Sequence, residues 1–448
     1  MQTPKSSSRF RMVSTLTETY GLSPAIATVF SCCLLGIILL AVAWFVRSAP
    51  PRTLSISSGP QGSSYERIAE AYQKRLAEHG VTLNIVPSAG SQANLKQLTT
   101  PGSGIDIGFV QGGPSEGVKL DDLVSLGSVA YQPLWLFYRS ATPISRLSEL
   151  EGKMICVGDE GSGTRVLATA LLQANSLNKD TTRYLSLNAE QASASLLEGK
   201  VDAIFLMGDS ASSQVLRSLV RTPQIHLYNF TQADAYVRRY AYLNKITLPE
   251  GSFDFGRNLP SEDLVLVGPT VELVVRKDLN PTISDLLLEI AQEVHGKASL
   301  LQKRGEFPTP LEHEIKISED AQRFYKSGKS FLNRAVGSFW LASIINRVLV
   351  VFVPLIVVLI PVIRFFPTAF KLSIRLKFFH YYRRLLRLEK EALVPMPPER
   401  IETLLAQVQE IEESVHNLKV PASLGDAYYG LRSHIILVRE KLRSKAVA

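Results

Sequence analysis

A stretch of 22 residues without a charged side chain, from Ala25 to Val46, most constrains what this chain can fold into. At about 1.5 Å of rise per helical residue, the stretch covers the roughly 30 Å hydrocarbon layer of a bilayer. A cleaved signal peptide is the alternative, but its apolar region of about 7 to 15 residues is shorter, and the pair Pro50–Pro51 follows the only small-residue exit. The stretch therefore predicts an uncleaved transmembrane helix over residues 25–46.

A second apolar stretch lies between Arg347 and Arg364, and aromatic and aliphatic residues extend it on both sides. The two arginines can extend to the membrane interfaces. Pro354 and Pro361 would break a soluble helix but are tolerated in a membrane helix. A buried core helix is the alternative, and the two prolines count against it. We expect a transmembrane helix over residues 341–366.

The formal net charge of +8 is confined to the two flanks of the chain. Residues 1–24 carry a net charge of +2 and residues 364–448 a net charge of +6, whereas residues 47–347 hold 31 basic and 31 acidic side chains. This distribution argues against nucleic acid as a partner. Two spans place both termini on one side, and the basic residues after the second span indicate the cytoplasm. We expect a two-pass protein of the bacterial inner membrane, with the lipid bilayer as a partner.

Segments of strand and helix character alternate in the middle of the chain. LSIS, VTLNIV and IDIGFVQGG are separated by glycine- or serine-rich turns and helical segments, and KMICVGDEGSGT, RYLSLN and VDAIFLMG repeat this order. Strands that alternate with helices of this length are typical of parallel sheets built from βαβ units. The pattern predicts an α/β domain over residues 52–320, which would lie in the periplasm.

The turns that follow these strands hold the candidate ligand site, because open α/β sheets bind ligands at the carboxyl ends of their strands. In GPQGSSYE, Ser63 and Glu66 have the spacing of a capping box, and in DEGSGT the residues from Gly161 to Thr164 combine small residues with hydroxyls. Helix starts of this kind favour a carboxylate or phosphate. Each turn taken alone favours an ordinary helix cap, whereas three such turns at equivalent places in one domain, counting SAGSQAN, favour a ligand site.

Fifteen residues of these turns are the predicted ligand-binding set: Ser58, Gly59, Ser63, Ser64, Tyr65, Ser88, Gly90, Ser91, Asn94, Gln111, Gly161, Ser162, Gly163, Thr164 and Arg165. Arg165 is the only cation in the turns, and we expect it to pair with a ligand carboxylate. A solvated helix residue is the alternative interpretation of Arg165.

Signatures of catalysis and of metal binding are weak. The seven histidines are dispersed, and HEIKI at His313 lacks the second histidine of a zinc protease. The serine of SLNK, Ser176, has no companion motif, and the chain holds neither a Walker lysine nor a complete GxGxxG. The three cysteines suggest neither a disulfide nor a thiolate cluster. We predict that the chain is not an enzyme, with no cofactor and no metal site.

The order and spacing of five motifs in this chain resemble the TAXI family of solute-binding proteins associated with TRAP transporters. The resemblance is carried by TLSISSGPQGSSYERIAEAYQKRL, IVPSAGSQANLKQL, IDIGFVQGG, ICVGDEGSGTRVLATALL and EGKVDAIFLMG, in this order over residues 52–315. The carboxyl-terminal span and tail resemble a membrane-anchored subgroup. The family usually has GGxGGxYY where this chain has GPQGSSY, so Gly62, Ser63, Ser64 and Tyr65 take the places of a more glycine-rich turn.

The resemblance implies a type II periplasmic-binding-protein fold, in which two α/β lobes close on a small carboxylate solute such as an amino acid or an organic acid. It also implies a TRAP-type permease as a possible partner. Because the strand PLWLFY is expected to cross between lobes, we predict lobe one over residues 52–137 and 245–315, and lobe two over residues 138–244. Three aromatic residues are expected at the cleft or in the hinge packing: Tyr131, Trp135 and Tyr138.

The tail, residues 367–448, is predicted to be cytoplasmic and helical. Apolar residues alternate steps of three and four from Ile401 to Leu418 and again from Tyr428 to Leu442, a pattern that predicts an antiparallel helical hairpin. A tethered receptor that delivers solute to a transporter is the leading functional interpretation. A sensor that signals through the hairpin is the alternative, although the 85 residues from Arg364 onward leave no room for a kinase or cyclase.

Overall fold

The computed structural model describes residues 13, 24–113, 117–178, 180–328, 336–395, 397–418, 420 and 424–447. The chain divides into two compact units. Residues 49–344 form the α/β unit, and residues 1–48 with 345–448 form the helical unit. The predicted amino-terminal segment, residues 1–24, lies outside the described residues except for positions 13 and 24.

The amino-terminal half of the α/β unit follows the predicted alternation of strands and helices. In chain order its elements, after the apolar helix α1 (Pro24–Arg47), are β1 (Thr53–Ser57), α2 (Ser64–Glu78), β2 (Thr82–Val86), α3 (Ser91–Thr99), β3 (Ile107–Gln111), β4 (Leu123–Tyr131), β5 (Trp135–Arg139), β6 (Met154–Cys156) and α4 (Gly163–Ala174). A short 3₁₀ helix, Leu147–Leu150, precedes β6.

The alternation continues to the end of the α/β unit, and three helices follow. These elements are β7 (Arg183–Leu185), α5 (Ala189–Leu197), β8 (Ala203–Leu206), α6 (Ser213–Val220), β9 (Ile225–Leu227), α7 (Ala233–Arg239), β10 (Asn244–Leu248), β11 (Leu264–Gly268), β12 (Thr270–Arg276), α8 (Pro281–His295), α9 (Glu319–Ser327), α10 (Phe339–Glu391), α11 (Pro398–His416) and α12 (Gly425–Val447).

The first lobe is built on a five-stranded sheet in the order β2-β1-β3-β12-β4. Strands β1, β2 and β3 are parallel, as the βαβ pattern predicts, but β12 runs antiparallel to both β3 and β4. The sheet is therefore mixed, and the prediction of a purely parallel sheet was wrong. A distant strand inserts between two earlier ones here, and this pairing has no local pattern in the sequence.

The second lobe has a five-stranded sheet in the order β7-β6-β8-β5-β9. Strands β6, β7 and β8 are parallel, whereas β5 runs antiparallel to β8 and β9. The hairpin of β10 and β11 adds Ile246, Leu248 and Leu266 to the hydrophobic core of this lobe. The predicted mixture of α-helices and β-sheets is confirmed in both lobes.

The chain crosses between the two sheets twice, at residues 132–134 and near Pro269. The two crossings lie side by side, since the Gln132 N–H donates to the Pro269 carbonyl at 2.8 Å and the Leu134 N–H donates to the Val267 carbonyl at 2.9 Å. These crossings differ from the predicted boundaries after residues 137 and 244. All of β5 pairs within the second sheet, and the β10–β11 hairpin packs on the core of the second lobe.

In the helical unit, α1 packs beside the apolar part of α10. The rings of Phe30 and Phe366 stack with centroids 4.4 Å apart, and the guanidinium of Arg347 lies 4.7 Å from the ring centroid of Phe45. The start of α1 thus contacts a later part of α10, and the end of α1 contacts an earlier part of α10. The two helices are therefore antiparallel. Both are long and apolar enough to cross a membrane.

Helix α10 continues through 53 residues, well past the predicted end of the second span at residue 366. Its later turns bury Ile374, Phe378 and Leu385 against α11 and α12. The predicted seam of α11 and α12 lies in the same core, where Leu404 and Leu431 are fully buried. The tail is therefore a bundle of three helices and not a hairpin alone, because the later turns of α10 supply a third apolar face.

Candidate functional site

The candidate site lies in the cleft between the two lobes, where the carboxyl ends of the parallel strands meet. Hydrogen bonds cross the cleft directly between the two lobes. The Ser64 N–H donates to the Gly208 carbonyl at 2.9 Å, the Ala93 N–H donates to the Gly161 carbonyl at 3.0 Å, and the Gln111 side-chain amide donates to the Gly163 carbonyl at 3.3 Å. The two lobes are therefore in contact, and the cleft is closed at this point.

The carboxyl group of Asp209 occupies the centre of the closed cleft and is fully buried. Its Oδ2 accepts hydrogen bonds from the Gly163 N–H at 2.5 Å and from the Ser91 N–H at 3.4 Å. Its Oδ1 accepts hydrogen bonds from the Thr164 and Ser210 hydroxyls, each at 3.0 Å. A carboxylate of the chain itself is thus bound by the helix starts that the sequence predicts as an anion site.

Local sequence explains why these donors point into the cleft. Helix α4 begins at Gly163, and the Ser162 hydroxyl caps it by accepting from the Arg165 N–H at 3.2 Å. The first N–H groups of a helix have no partner within the helix, so the Gly163 N–H is available for a carboxylate. Helix α3 begins at Ser91 in the same way, and its N-cap, Gly90, has no side chain that could compete.

Glycines make the close approach around Asp209 possible. A Cβ on Gly90 would lie 2.6 Å from Asp209 Oδ2, and Gly90 has a φ of +133° that other residues rarely adopt. A Cβ on Gly59 would lie 2.5 Å from the Asp209 carbonyl oxygen. A Cβ on Gly163 would overlap the Gln111 side chain. The two lobes can therefore meet at Asp209 only because these positions lack a side chain.

The electrostatics of the Asp209 site balance burial against hydrogen bonding. Burial raises the pKa of Asp209, while the hydrogen bonds from Gly163, Thr164, Ser210 and Ser91 act in the opposite direction. Complete burial, and after it the negative charge of Asp209, raises the pKa of the neighbouring Tyr65 phenol. The donors thus recover part of the free energy that a buried carboxylate loses when it leaves water.

Side chains of the turn between β2 and α3, and of the start of α3, form hydrogen bonds mainly within lobe one. Asn94 Oδ1 accepts from the Ser57 hydroxyl at 2.6 Å and from the Ser88 hydroxyl at 2.5 Å, and its amide nitrogen donates to the Phe109 carbonyl at 2.8 Å. The Ser91 hydroxyl accepts from the Gln111 N–H at 2.7 Å. Of this group, only the Ser91 backbone N–H faces Asp209.

The residues of the first turn surround the cleft without reaching the Asp209 carboxyl. Ser63 is the N-cap of α2, as its spacing from Glu66 predicts, and Glu66 also accepts from the Gly62 N–H. Tyr65 is fully buried and packs on the ring of Phe109 with centroids 5.5 Å apart. The Ser58 hydroxyl donates to the Val86 carbonyl at 3.3 Å. The Ser58 and Ser63 side chains therefore shape lobe one, whereas the Tyr65 hydroxyl is buried without a hydrogen-bond partner on the described residues.

Arg165 lies outside the donor cluster. Its guanidinium donates to the Ser186 hydroxyl at 2.8 Å and lies 3.9 Å from a carboxylate oxygen of Glu160. Both contacts belong to the second lobe, and the side chain of Glu160 is largely exposed. In the closed cleft the structure therefore does not bring Arg165 to the predicted anion position.

Asp209 is the residue that the sequence analysis missed. The strand VDAIFLMG is part of the predicted pattern, and Asp209 follows it directly at the carboxyl end of β8. The position alone, at the end of a parallel strand, was a sufficient signal.

A cavity of about 650 Å³ opens at the mouth of the cleft beside the Asp209 site. It is lined on one side by residues 60–62 with Ser88, and on the other by residues 187–190 with Ser210. The charged residues that line it are Asp159 and Glu190. Its volume lies in the range of about 300 to 1,000 Å³ that is typical of small-molecule sites.

The chain belongs to the NMT1-like family, whose model matches residues 56–289, just over half of the chain. This range includes every predicted site residue. The finer assignment to the TAXI family and TRAP transporters stays a prediction.

Several solved structures are similar to this chain at low overall scores. The periplasmic aliphatic sulphonate binding protein SsuA from Escherichia coli is 17% identical, with 55% of this chain and 73% of that chain covered and a TM-score of 0.35. A putative periplasmic sulfonate-binding protein from Methylobacillus flagellatus KT is 16% identical, with coverages of 62% and 78% and a TM-score of 0.36. An ancestral arginine-binding protein is 14% identical, with coverages of 56% and 96% and a TM-score of 0.36.

Proposed function

We propose that the α/β unit is a receptor for a small solute, and that the solute places a carboxylate where the Asp209 carboxyl lies in the closed cleft. One observation carries this proposal. Two helix starts, one from each lobe, and two hydroxyls converge on a fully buried carboxyl group. Donors that hold one carboxylate in this geometry fit another, because the recognition depends on the two oxygens and not on the chain behind them.

Solute binding in this proposal is an exchange of carboxylates. The donor cluster has no room for a second carboxylate beside Asp209, so the lobes separate and the Asp209 side chain turns away when the solute enters from the mouth cavity. The donors that lose their hydrogen bonds to Asp209 form hydrogen bonds to the solute carboxylate instead. Replacing one carboxylate by the other therefore changes the free energy of the protein–solute system little. Affinity and selectivity then depend on the rest of the solute in the mouth cavity.

The proposal extends to the membrane and to a partner. Helices α1 and α10 are long and apolar enough to cross a bilayer, and we propose that both do so, with both termini in the cytoplasm and the α/β unit in the periplasm. Confinement to the membrane at both ends favours a fixed partner such as a TRAP-type permease. A reporter enzyme active only in the periplasm is expected to work when fused after residue 200 and to fail when fused at residue 448; the reverse pattern would contradict this topology.

A sensor is the second candidate, and one feature of the helical unit favours it. Helix α10 carries the apolar segment and continues without interruption into the three-helix bundle, where His434 Nε2 lies 3.1 Å from Glu389 Oε2 on α10. A continuous helix can pass a movement along its axis to the helices packed on it. In this candidate, solute binding changes the bundle and a partner protein binds the changed form.

The test of solute binding is a thermal-stability screen of the full chain in detergent micelles with amino acids, organic acids and sulfonates. A solute that binds only the folded state raises stability by RT ln(1 + [L]/Kd), so some carboxylates at millimolar concentration are expected to raise the melting temperature. In the Asp209→Ala background, where no carboxylate of the chain competes for the donors, Thr164→Val removes one donor to the solute and should weaken binding about ten- to a hundredfold. Thr222→Val, whose hydroxyl donates to the Ser218 carbonyl away from the cleft, is the matched control and should leave affinity unchanged. No stabilisation by any carboxylate would contradict the proposal.

A further inference from the structure

A second cavity, which we call the lateral pocket, has a volume of about 520 Å³ and shares no lining residue with the mouth cavity. It is lined by α2, by the hinge residues 130–133, by α6, and by the end of α8 with the segment that follows it, within residues 294–302. Lobe one contributes α2 and the segment after α8, and lobe two contributes α6. The pocket therefore lies across the junction of the two lobes, beside the hinge.

Three cations surround the lateral pocket. Arg67 comes from α2, Arg217 from α6 and Lys297 from the segment after α8. None of the three forms an ion pair with another residue in the described part of the chain. The described lining residues include no aspartate or glutamate. Three positive charges of this kind at one opening repel each other, and a bound anion would relieve the repulsion.

Two buried polar side chains line the same pocket without a hydrogen-bond partner on the described residues. Gln132 is 3% exposed and its Nε2 donor is unpaired, and His295 is 6% exposed and its Nε2 is unpaired. A buried polar group without a partner is uncommon and destabilising, so each such group calls for an explanation. Burial also lowers the pKa of His295 to about 4, so its ring is neutral at pH 7. A bound ligand with acceptor oxygens would pair with the Gln132 amide.

Apolar and aromatic side chains form another part of the wall of the lateral pocket. Trp135 and Phe253 lie edge to face with ring centroids 6.0 Å apart, and Leu216 of α6 lines the pocket beside them. Aromatic walls with a few convergent polar groups are typical of sites for small organic molecules.

We propose that the lateral pocket is a second binding site, which takes a small solute with one anionic group on an aromatic or aliphatic body. The anionic group, a carboxylate, a sulfonate or a phosphate, would lie between Arg67 and Arg217 and accept from the Gln132 amide. The apolar body would contact Trp135. Because Arg67 and Arg217 belong to opposite lobes, the solute would hold the lobes together without entering the Asp209 cluster.

The test uses the full chain in detergent micelles, labelled with 5-fluorotryptophan, and observes its three tryptophans by ¹⁹F NMR. Trp135→Phe assigns the Trp135 resonance. Naphthalene-2-sulfonate is the probe, and naphthalene-2-sulfonamide is a neutral control of the same shape. We expect the sulfonate to shift the Trp135 resonance saturably, and the sulfonamide to bind more weakly. Arg67→Gln and Arg217→Gln should each reduce sulfonate affinity about two- to fivefold, the range of an exposed ion pair.

Two further variants separate this site from its surroundings. Gln132→Met keeps the size of the side chain and removes the buried donor, so it should weaken sulfonate binding about tenfold. Arg183→Gln removes an exposed arginine elsewhere in lobe two and should leave binding unchanged. No saturable shift of the Trp135 resonance at millimolar probe, an equal response to the sulfonamide, or unchanged affinity in both arginine variants would overturn the proposal.

Discussion

Asp209 and Glu272 are two carboxyl groups that the α/β unit buries almost completely, but their surroundings differ. Both oxygens of Asp209 accept hydrogen bonds, two from backbone N–H groups and two from hydroxyls. Glu272, in the middle of β12, is 2% exposed, and its Oε2 has no hydrogen-bond partner on the described residues. Burial is the main cause that raises the pKa of Glu272 to about 7; a hydrogen bond with Ser125 lowers this pKa, and the nearby Glu314 and Glu312 raise it.

The difference shows that burial alone does not make an anion site. A carboxylate loses its hydration at both places, but only at Asp209 do helix starts from two lobes replace the lost water with oriented donors. At Glu272 the neutral acid is favoured as the pH falls below 7. The donors around Asp209 therefore form a carboxylate-binding site. Glu272 of β12 is a buried carboxyl group without such a set of donors.

The largest expected effect is that of Asp209→Ala. This change leaves two buried N–H groups without an acceptor, and leaves the Thr164 and Ser210 hydroxyls, 2.9 Å apart, with only each other. It should lower the free energy of unfolding by about 3 to 5 kcal/mol, measured by chemical denaturation of the full chain. Asp202→Ala is the matched control in the same lobe, where Asp202 Oδ2 accepts one N–H, that of Met154, at 2.8 Å. The control should lose about 1 kcal/mol. Equal losses in the two variants would show that Asp209 is an ordinary buried carboxyl.

Glu272→Gln tests the other half of the comparison through pH dependence. The pKa of Glu272 is about 7 in the folded protein and 4.5 ordinarily, so as the pH falls from 7 to 4.5 the folded protein takes up a proton that the unfolded chain does not. Glu272 therefore adds about 3 kcal/mol of stability over this window as the pH falls, since each pKa unit corresponds to about 1.4 kcal/mol. The variant should lack this gain.

The wild-type curve alone would conceal the effect of Glu272. Burial lowers the pKa of His295 from 6.5 to about 4, so the unfolded chain binds a proton there before the folded protein does. As the pH falls over nearly the same window, this difference lowers the unfolding free energy of the protein. The two contributions nearly cancel in the wild-type protein. The measurement is thus the difference in unfolding free energy between wild type and Glu272→Gln at each pH. A constant difference from pH 7 to pH 4.5 would refute the account of Glu272.

The sequence predicted much of this site because its signals are local. The N-caps Ser63 and Ser162, the glycine turns and the start of α4 all follow from short patterns. Three features depend instead on distant parts of the chain. The antiparallel strand β12 inserts between β3 and β4. The Asn94 side-chain oxygen accepts hydrogen bonds from Ser57 and Ser88. Asp209 accepts hydrogen bonds from donors of both lobes. No local pattern specifies which chain segment will meet a given helix start.

Gly90→Ala is expected to have an intermediate effect. Its Cβ would lie 2.6 Å from Asp209 Oδ2, and its φ of +133° is strained for alanine. The expected loss is about 2 kcal/mol, through both backbone strain and displacement of the carboxyl. Gly102→Ala is the matched control, because Gly102 also has a positive φ, +76°, but faces open space. The control should lose about 1 kcal/mol or less. A similar loss in both would mean that the Asp209 site tolerates the extra Cβ.

Arg165→Gln should have the smallest effect. Its guanidinium contacts Ser186 and lies 3.9 Å from Glu160, and an exposed pair of this kind contributes about 0.5 kcal/mol or less. Carboxylate binding, measured by isothermal titration, should not change. A tenfold loss of affinity would restore Arg165 as the partner of the solute and would require a rearrangement of α4 on binding.

The most direct test of the central claim is the rescue of Asp209→Ala by small free carboxylates. If the donor cluster is the anion site, formate and acetate should bind in the space left by the missing carboxyl group, and should raise the melting temperature of the variant in a saturable way. Wild type and Asp202→Ala should show no such rise, and chloride at the same ionic strength should not replace formate in the variant. Saturable rescue of Asp209→Ala alone is the result that the account predicts. No rescue, or equal stabilisation of all three proteins, would contradict it.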